Sequence, residues 1–146
     1  MLFRSGIFLG GAAGPPYVAT NSIEYITIST TGNATDFGDC QSANYKMGGT
    51  SNDLNDRGFF LIGTRKMSYI TISTLGNSVH FGDRGTERDH SAGITSNGTD
   101  ERAVWAGGSS PRHNNIAYAT ISTLGNSRQF GNLTVDQSQS NMGGLS

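Results

Sequence analysis

Apolar and polar positions alternate most clearly over residues 23–28. Ile23, Tyr25 and Thr27 fall on one side of an extended chain, and Glu24, Ile26 and Ile28 fall on the other. The run is rich in β-branched residues, so a strand is predicted. Both of its sides carry apolar groups, which implies cover on both faces rather than a half-solvated sheet. Thr31-Gly32-Asn33 reads as a turn, because Gly and Asn tolerate positive φ, and Ala34 to Gly38 returns as the partner strand. The apolar run Gly6-Ile7-Phe8-Leu9-Gly10-Gly11 predicts a third strand. Met47-Gly48-Gly49-Thr50-Ser51 predicts a fourth, whose glycines suit a close approach of backbones.

This group of elements occurs three times. Tyr25-Ile26-Thr27-Ile28-Ser29-Thr30-Thr31-Gly32-Asn33 returns as Tyr69 to Asn77 and as Tyr118 to Asn126. The tyrosines are 44 and 49 residues apart, yet each is followed 12 residues later by a phenylalanine of a Phe-Gly pair: Phe37, Phe81 and Phe130. The apolar strand recurs around Phe8, Phe60 and Trp105, and the glycine-bearing strand recurs at Ala92 to Ser96 and at Met142 to Ser146. Constant spacing inside the unit marks packed elements, and variable spacing between units marks surface loops. Phe8, Phe60 and Trp105 are therefore expected in the core between units, as are Phe37, Phe81 and Phe130, with roughly 2–3 kcal/mol from burying each. The tyrosines Tyr25, Tyr69 and Tyr118 are read as structural parts of the repeat.

Four short strands per unit of this length is the signature of a propeller blade. The aliphatic-aromatic strand ending in Gly-Gly, the Tyr strand, the turn and the following aromatic resemble a kelch-type blade. Gly63-Thr64 departs from the Gly-Gly pair. The string from Tyr25 to Asp39 is similar to repeats in tail-fibre and other virion structural proteins of marine bacteriophages. The resemblance covers the whole chain. It implies an all-β, kelch-like β-propeller on a phage particle, extracellular, in a structural or binding role. The expected organisation is a single domain, 1–146, of three four-stranded blades from repeats at about 1–51, 52–96 and 97–146. In kelch order the glycine-bearing strand is innermost and precedes the aromatic strand. The chain then begins on a second strand and ends, at Met142 to Ser146, on an inner strand without a successor.

An unpaired strand edge invites association, and buried backbone groups cost about 1–3 kcal/mol each when unsatisfied. Three blades alone would need wedges too wide for flat packed sheets. A six-bladed ring made by a homodimer is the expected solution, with Met142 to Ser146 of one subunit beside Gly6 to Gly11 of the next. The alternative is that the chain is a piece of a larger propeller, or that another protein supplies the remaining blades.

Composition narrows the rest. Glycine makes up 21 of 146 residues, roughly twice ordinary usage. Ten basic and eleven acidic side chains give a net charge of −1, without the clustered basic excess that nucleic-acid binding needs. No apolar run approaches the ~18 residues of a membrane span, so membrane insertion is not expected. Arg4, Ile7 to Leu9 and Ala12-Ala13 faintly resemble a signal peptide, but they align with internal strands and are read as blade one. Cys40 is the lone cysteine; it excludes an internal disulfide and a multi-Cys zinc site and is read as an idle thiol.

His80, His90 and His113 occupy different contexts without ligand spacing, so no metal and no cofactor is expected. Asp36, Asp39 and Asp83 sit beside glycine turns, where carboxylates more often accept from backbone N–H groups than act in catalysis. No Gly-x-Ser-x-Gly elbow and no phosphate loop is present. Loops are the better place for a site. The longest is expected over Ala12 to Ser22 and carries Tyr17. The loop from Ser109 to Asn115 carries Arg112, His113 and Asn114, and charged turns are expected at Asp53 to Arg57 and Asp100 to Arg102. The expected function is a non-enzymatic virion structural or adhesion protein whose loops meet other virion proteins or a host-surface glycan. A carbohydrate-binding lectin propeller is the alternative, and an enzyme is the least favoured reading.

Overall fold

The computed structural model describes residues 5–45, 47–52, 56–63, 65–85, 93–98, 101–107 and 113–137. Described residues form antiparallel strands, turns and connections, with no helix among them. The first sheet holds β1 (Ser5–Ala13), β2 (Val18–Thr27) and β3 (Thr35–Asp39), in that order. The second holds β4 (Gly48–Asn52), β5 (Arg57–Ile62), β6 (Lys66–Thr71) and β7 (Val79–Asp83). The third holds β8 (Ile94–Ser96), β9 (Arg102–Ala106), β10 (His113–Thr120) and β11 (Arg128–Gln137). Each glycine-bearing strand opens the sheet that follows it: β4 pairs β5, and β8 pairs β9. The first sheet has three described strands, and among the described residues β1 is its edge strand. Met142 to Ser146, expected beside that edge in a second subunit, lies outside the described residues.

Register repeats with the sequence. Tyr25 faces Ile7, Tyr69 faces Phe59 and Tyr118 faces Val104 across equivalent strand pairs. Beside each tyrosine strand the ladder slips by one residue, between Ile23 and Glu24, Met67 and Ser68, and Ile116 and Ala117. The residue left without an opposite number is Phe37, Phe81 or Phe130. A bulge of this kind bends the strand and re-aims one side chain. Each phenylalanine then meets its tyrosine edge to face, at 6.2, 6.1 and 6.0 Å between ring centroids.

The core lies between sheets. Phe37, Ile23 and Cys40 of the first sheet pack with Phe60, Ile62 and Ile70 of the second. Phe59, Leu61, Met67 and Phe81 of the second pack with Trp105, Ala117, Ala119 and Ile121 in the third. The middle sheet is thus covered on both faces, as its apolar strands require. Two expected core positions are not buried: Phe8 and Phe130 are each 55 % exposed. Phe60 and Trp105, equivalent to Phe8, face back toward the preceding sheet, whereas Phe37 and Phe81, equivalent to Phe130, face forward to the next one. Among the described residues, no sheet lies before Phe8 and none after Phe130.

The loop expected over Ala12 to Ser22 is another correction. Ala12 pairs with Ala19, and Ala13 with Val18, so the β1–β2 hairpin runs on to a tight turn at residues 14–17. Ala12 and Ala13 are too small to disrupt a ladder, and Val18 and Thr20 favour extended backbone.

Candidate functional site

The features that recur with most chemical detail are the junctions between sheets. Gly76 N–H donates to Phe37 O (2.9 Å), and Gly125 N–H donates to Phe81 O (3.1 Å). Two residues on, Ser78 N–H donates to Asp39 O (2.8 Å) and Ser127 N–H to Asp83 O (3.0 Å). In return, Asp39 N–H donates to Asn77 Oδ1 (2.9 Å), and Asp83 N–H to Asn126 Oδ1 (3.0 Å). The serine hydroxyls add another pair, accepting from Gln41 N–H and Gly85 N–H at 3.0 Å each. The Leu-Gly-Asn turn of one sheet is thereby stitched to the Phe-Gly-Asp strand of the sheet before it.

Glycine is required in that strand for lack of space. A Cβ on Gly38 would stand 2.4 Å from Gly76 O, and one on Gly82 would stand 2.1 Å from Gly125 O. Those separations are too short for real carbon–oxygen contacts, so the junctions close only because these positions have no side chain.

A further link uses arginine. Arg57 lies over the Tyr69 ring, 4.7 Å from its centroid, and its Nη1 donates to Ile121 O of the third sheet (2.8 Å). Arg102 lies over Tyr118 at the same 4.7 Å but projects from a sheet with no described successor. Before each arginine stands a residue at φ 52, Asp56 or Glu101. The Asp56 carboxylate accepts from Ser73 N–H at 2.9 Å and from the Ser73 hydroxyl. The charged turns before the aromatic strands are therefore tied into the sheets, at least over Asp56–Arg57 and Glu101–Arg102; Asp53 and Asp100 lie outside the described residues.

The loop candidates are placed as follows. Tyr17 is 83 % exposed at the tip of the β1–β2 hairpin. His113 and Asn114 are half-buried at the start of β10, and Arg112 lies outside the described residues. Both groups occupy the same end of their sheets, but the sheets are the first and the third. Two side chains share one strand, then, and Tyr17 is not joined to them.

Two of the acidic residues enter the junctions through their backbones. Asp39 and Asp83 offer their backbone N–H groups to asparagine oxygens, and their carboxylates stay exposed. Asp83 comes within 3.8 Å of His80 Nε2, an exposed pair of the kind worth little in water. The asparagines take the acceptor role because the turn carries them across to the neighbouring sheet. Cys40 is buried, and burial, with the Asp39 carboxylate beside it, pushes its thiol up to about 11. The group is protonated at neutral pH and therefore a poor nucleophile. Among the described residues no group of three His, Cys, Asp or Glu is arranged to hold a metal ion, and no helix is long and apolar enough to cross a membrane. His90 lies outside them.

No protein-family model matches the chain, and no curated protein is similar to it in sequence. Sequence reasoning missed the bridging roles of Asn77 and Asn126 and of Arg57. Their signal was present in the Gly-Asn pair that recurs in every turn and in Arg57 and Arg102, which stand two residues before the equivalent strand positions Phe59 and Val104.

Proposed function

We propose that this chain is a non-enzymatic structural or adhesion component of a bacteriophage particle, a kelch-like propeller that carries loops to a partner outside the host cell. The observation that supports it most is the twice-repeated junction. The same set of hydrogen bonds fixes each sheet against the next, which makes a stiff frame, and the hairpin tip bearing Tyr17 projects from one end of that frame. Rigid frames with exposed tips suit binding rather than turnover, since loops on a fixed scaffold keep their pose without a cost in ordering. The ring is completed by further blades, six in a homodimer, with other virion proteins or a host-surface glycan as outside partners.

Purified particles are the test. Peptides of this chain in density-gradient fractions that hold intact particles would support the assignment; their restriction to infected-cell lysate, absent from particles, would overturn it.

The lectin reading is favoured by one feature, the exposed Tyr17 ring, because an aromatic face is a platform for the apolar side of a sugar. On a glycan array, micromolar binding that falls about tenfold in Tyr17→Ala would support a lectin. Binding that is absent, or unchanged in that variant, would remove it.

A further inference from the structure

The two internal junctions have a third, unfilled counterpart. On its strand side are Phe130, Gly131 and Asn132, equivalent to Phe37-Gly38-Asp39 and Phe81-Gly82-Asp83. On its turn side are Gly32 and Asn33, equivalent to Gly76-Asn77 and Gly125-Asn126. Both sides are complete in the chain, but they lie on opposite outer sheets and do not meet. A Cβ on Gly131 would find nothing within 4 Å, where the same atom on Gly38 or Gly82 would strike a neighbour's carbonyl oxygen.

The clefts tell the same story. A cleft of about 260 Å³ around Gly125 and Asn126 has Phe81 of the preceding sheet in its wall. The equivalent cleft around Gly32 and Asn33, about 140 Å³, is lined by first-sheet residues alone. Phe130, with no described sheet after it, is 55 % exposed, where Phe37 and Phe81 are 2 % and 3 % exposed. Arg102 repeats the pose of Arg57 over a tyrosine, but among the described residues no next sheet offers it a carbonyl. The carbonyl at the matching position belongs to Ile28, which is 67 % exposed where its counterpart Ile121 is fully buried. Phe8 completes the match, since its counterparts Phe60 and Trp105 pack in the same clusters as Phe37 and Phe81.

We propose that the occupant of both faces is a second copy of this chain, with the Gly32–Asn33 turn of each copy stitched to the Phe130–Asn132 strand of the other. Gly32 N–H then donates to Phe130 O, Asn132 N–H donates to Asn33 Oδ1, and Arg102 reaches Ile28 O. Two such contacts close a ring of six sheets, within the roughly four to eight of propellers, and leave neither face open. Ala34 stands where Ser78 and Ser127 supply hydroxyls, so this junction lacks the hydroxyl hydrogen bond that both internal ones have, and it alone joins two chains. It is the natural place for the ring to come apart. The inference rests on the propeller reading above, but not on its loops or its place on a particle.

The test is sedimentation velocity of the full chain from about 1 to 100 μM. Wild type is expected at twice 15.4 kDa at the upper end. Gly131→Ala adds a methyl group that meets nothing in the single chain, so its far-UV circular dichroism is expected to match wild type. Across the new junction the methyl meets the partner's backbone, and the dimer dissociation constant is expected to rise by roughly 100-fold or more. Arg102→Ala and Asn33→Ala are expected to raise it about tenfold each. A wild-type mass of one chain at 100 μM overturns the proposal. So does a dimer that Gly131→Ala and Arg102→Ala leave intact, or an open series of larger assemblies. A single-chain mass with glycan or particle association retained would sink the junction and spare the proposed function; a dimer without either association would do the reverse.

Discussion

Phe60 and Phe8 occupy the same place in their repeats, and so do Phe81 and Phe130. Phe60 and Phe81 are 1 % and 3 % exposed, while Phe8 and Phe130 are both 55 % exposed. Local sequence does not separate the members of each pair. The difference is a neighbouring sheet: among the described residues, the middle sheet has one on each side and the outer sheets have one each. In a stacked repeat, the pattern along a strand decides which side chains are fit for burial, and the count of neighbours decides which are buried.

The comparison is broken most severely at the aromatic core. Phe60→Ala removes a side chain packed between the first and second sheets, and a loss of about 3–5 kcal/mol is expected from lost transfer energy and the cavity left behind. Phe8→Ala, in urea denaturation at concentrations where the chain is single, is expected to cost less than about 0.5 kcal/mol. Equal losses would mean that Phe8 is covered within one chain. Next in size is the glycine pair. Gly82→Ala drives a methyl group into Gly125 O, and overpacking of that kind costs about 1–3 kcal/mol. Gly131→Ala, under the same dilute conditions, is expected to change the denaturation midpoint negligibly, and a matching loss would erase the distinction between inner and outer junctions.

The division between what could be read from the chain and what could not follows the same line. The strands around Tyr25, Tyr69 and Tyr118 were legible because β-branched alternation and constant spacing are local properties. The grouping of strands into sheets followed from the order of elements, with β4 and β8 opening the sheets that follow them. Burial of Phe8 and Phe130 was misjudged because equivalence of position was taken to mean equivalence of environment. The hairpin at residues 12–19 was misread as a loop because its Ala and Pro content masks a ladder whose pairing is set by β1. The candidate site was the least legible part. Asn77 and Asn126 read as turn formers, and only the apposition of two sheets, about 40 residues apart in sequence, shows that their side chains hold the junction.

Cys40 offers a pH-dependent view of the inner junction. Its thiol sits at about 11 in the folded chain, against about 8.5 for an exposed cysteine. Folding favours the protonated form, so its contribution is fully present below about pH 8.5 and is lost as pH rises toward 11. At pH 10 the expected loss relative to pH 7 is on the order of 2 kcal/mol, at about 1.4 kcal/mol for each unit. Chemical denaturation at pH 7 and pH 10 checks it, with Cys40→Ala as the reference. The wild type is expected to lose more stability than the variant between the two values. An identical loss would show that the thiol ionises inside the fold as readily as outside it.

The smallest expected difference concerns the asparagines. Asn126→Ala removes the acceptor for Asp83 N–H, a bond that is exposed at its edge. Water can replace much of what is lost, so about 1 kcal/mol is expected. Asn33→Ala removes the same group from a turn that touches no other described sheet of its own chain, and no measurable change is expected below the assembly concentration. As the protein concentration rises, the gap between the two variants should narrow: the Asn33→Ala defect grows with the fraction of chains that wild type would pair, while the Asn126→Ala defect stays fixed. Titrating concentration against apparent melting temperature reads this convergence directly, because a partner that binds only the folded state stabilises by mass action. A concentration-independent difference between the two variants would place the role of Asn33 inside one chain, and the outer turn would then be no different in kind from the inner ones.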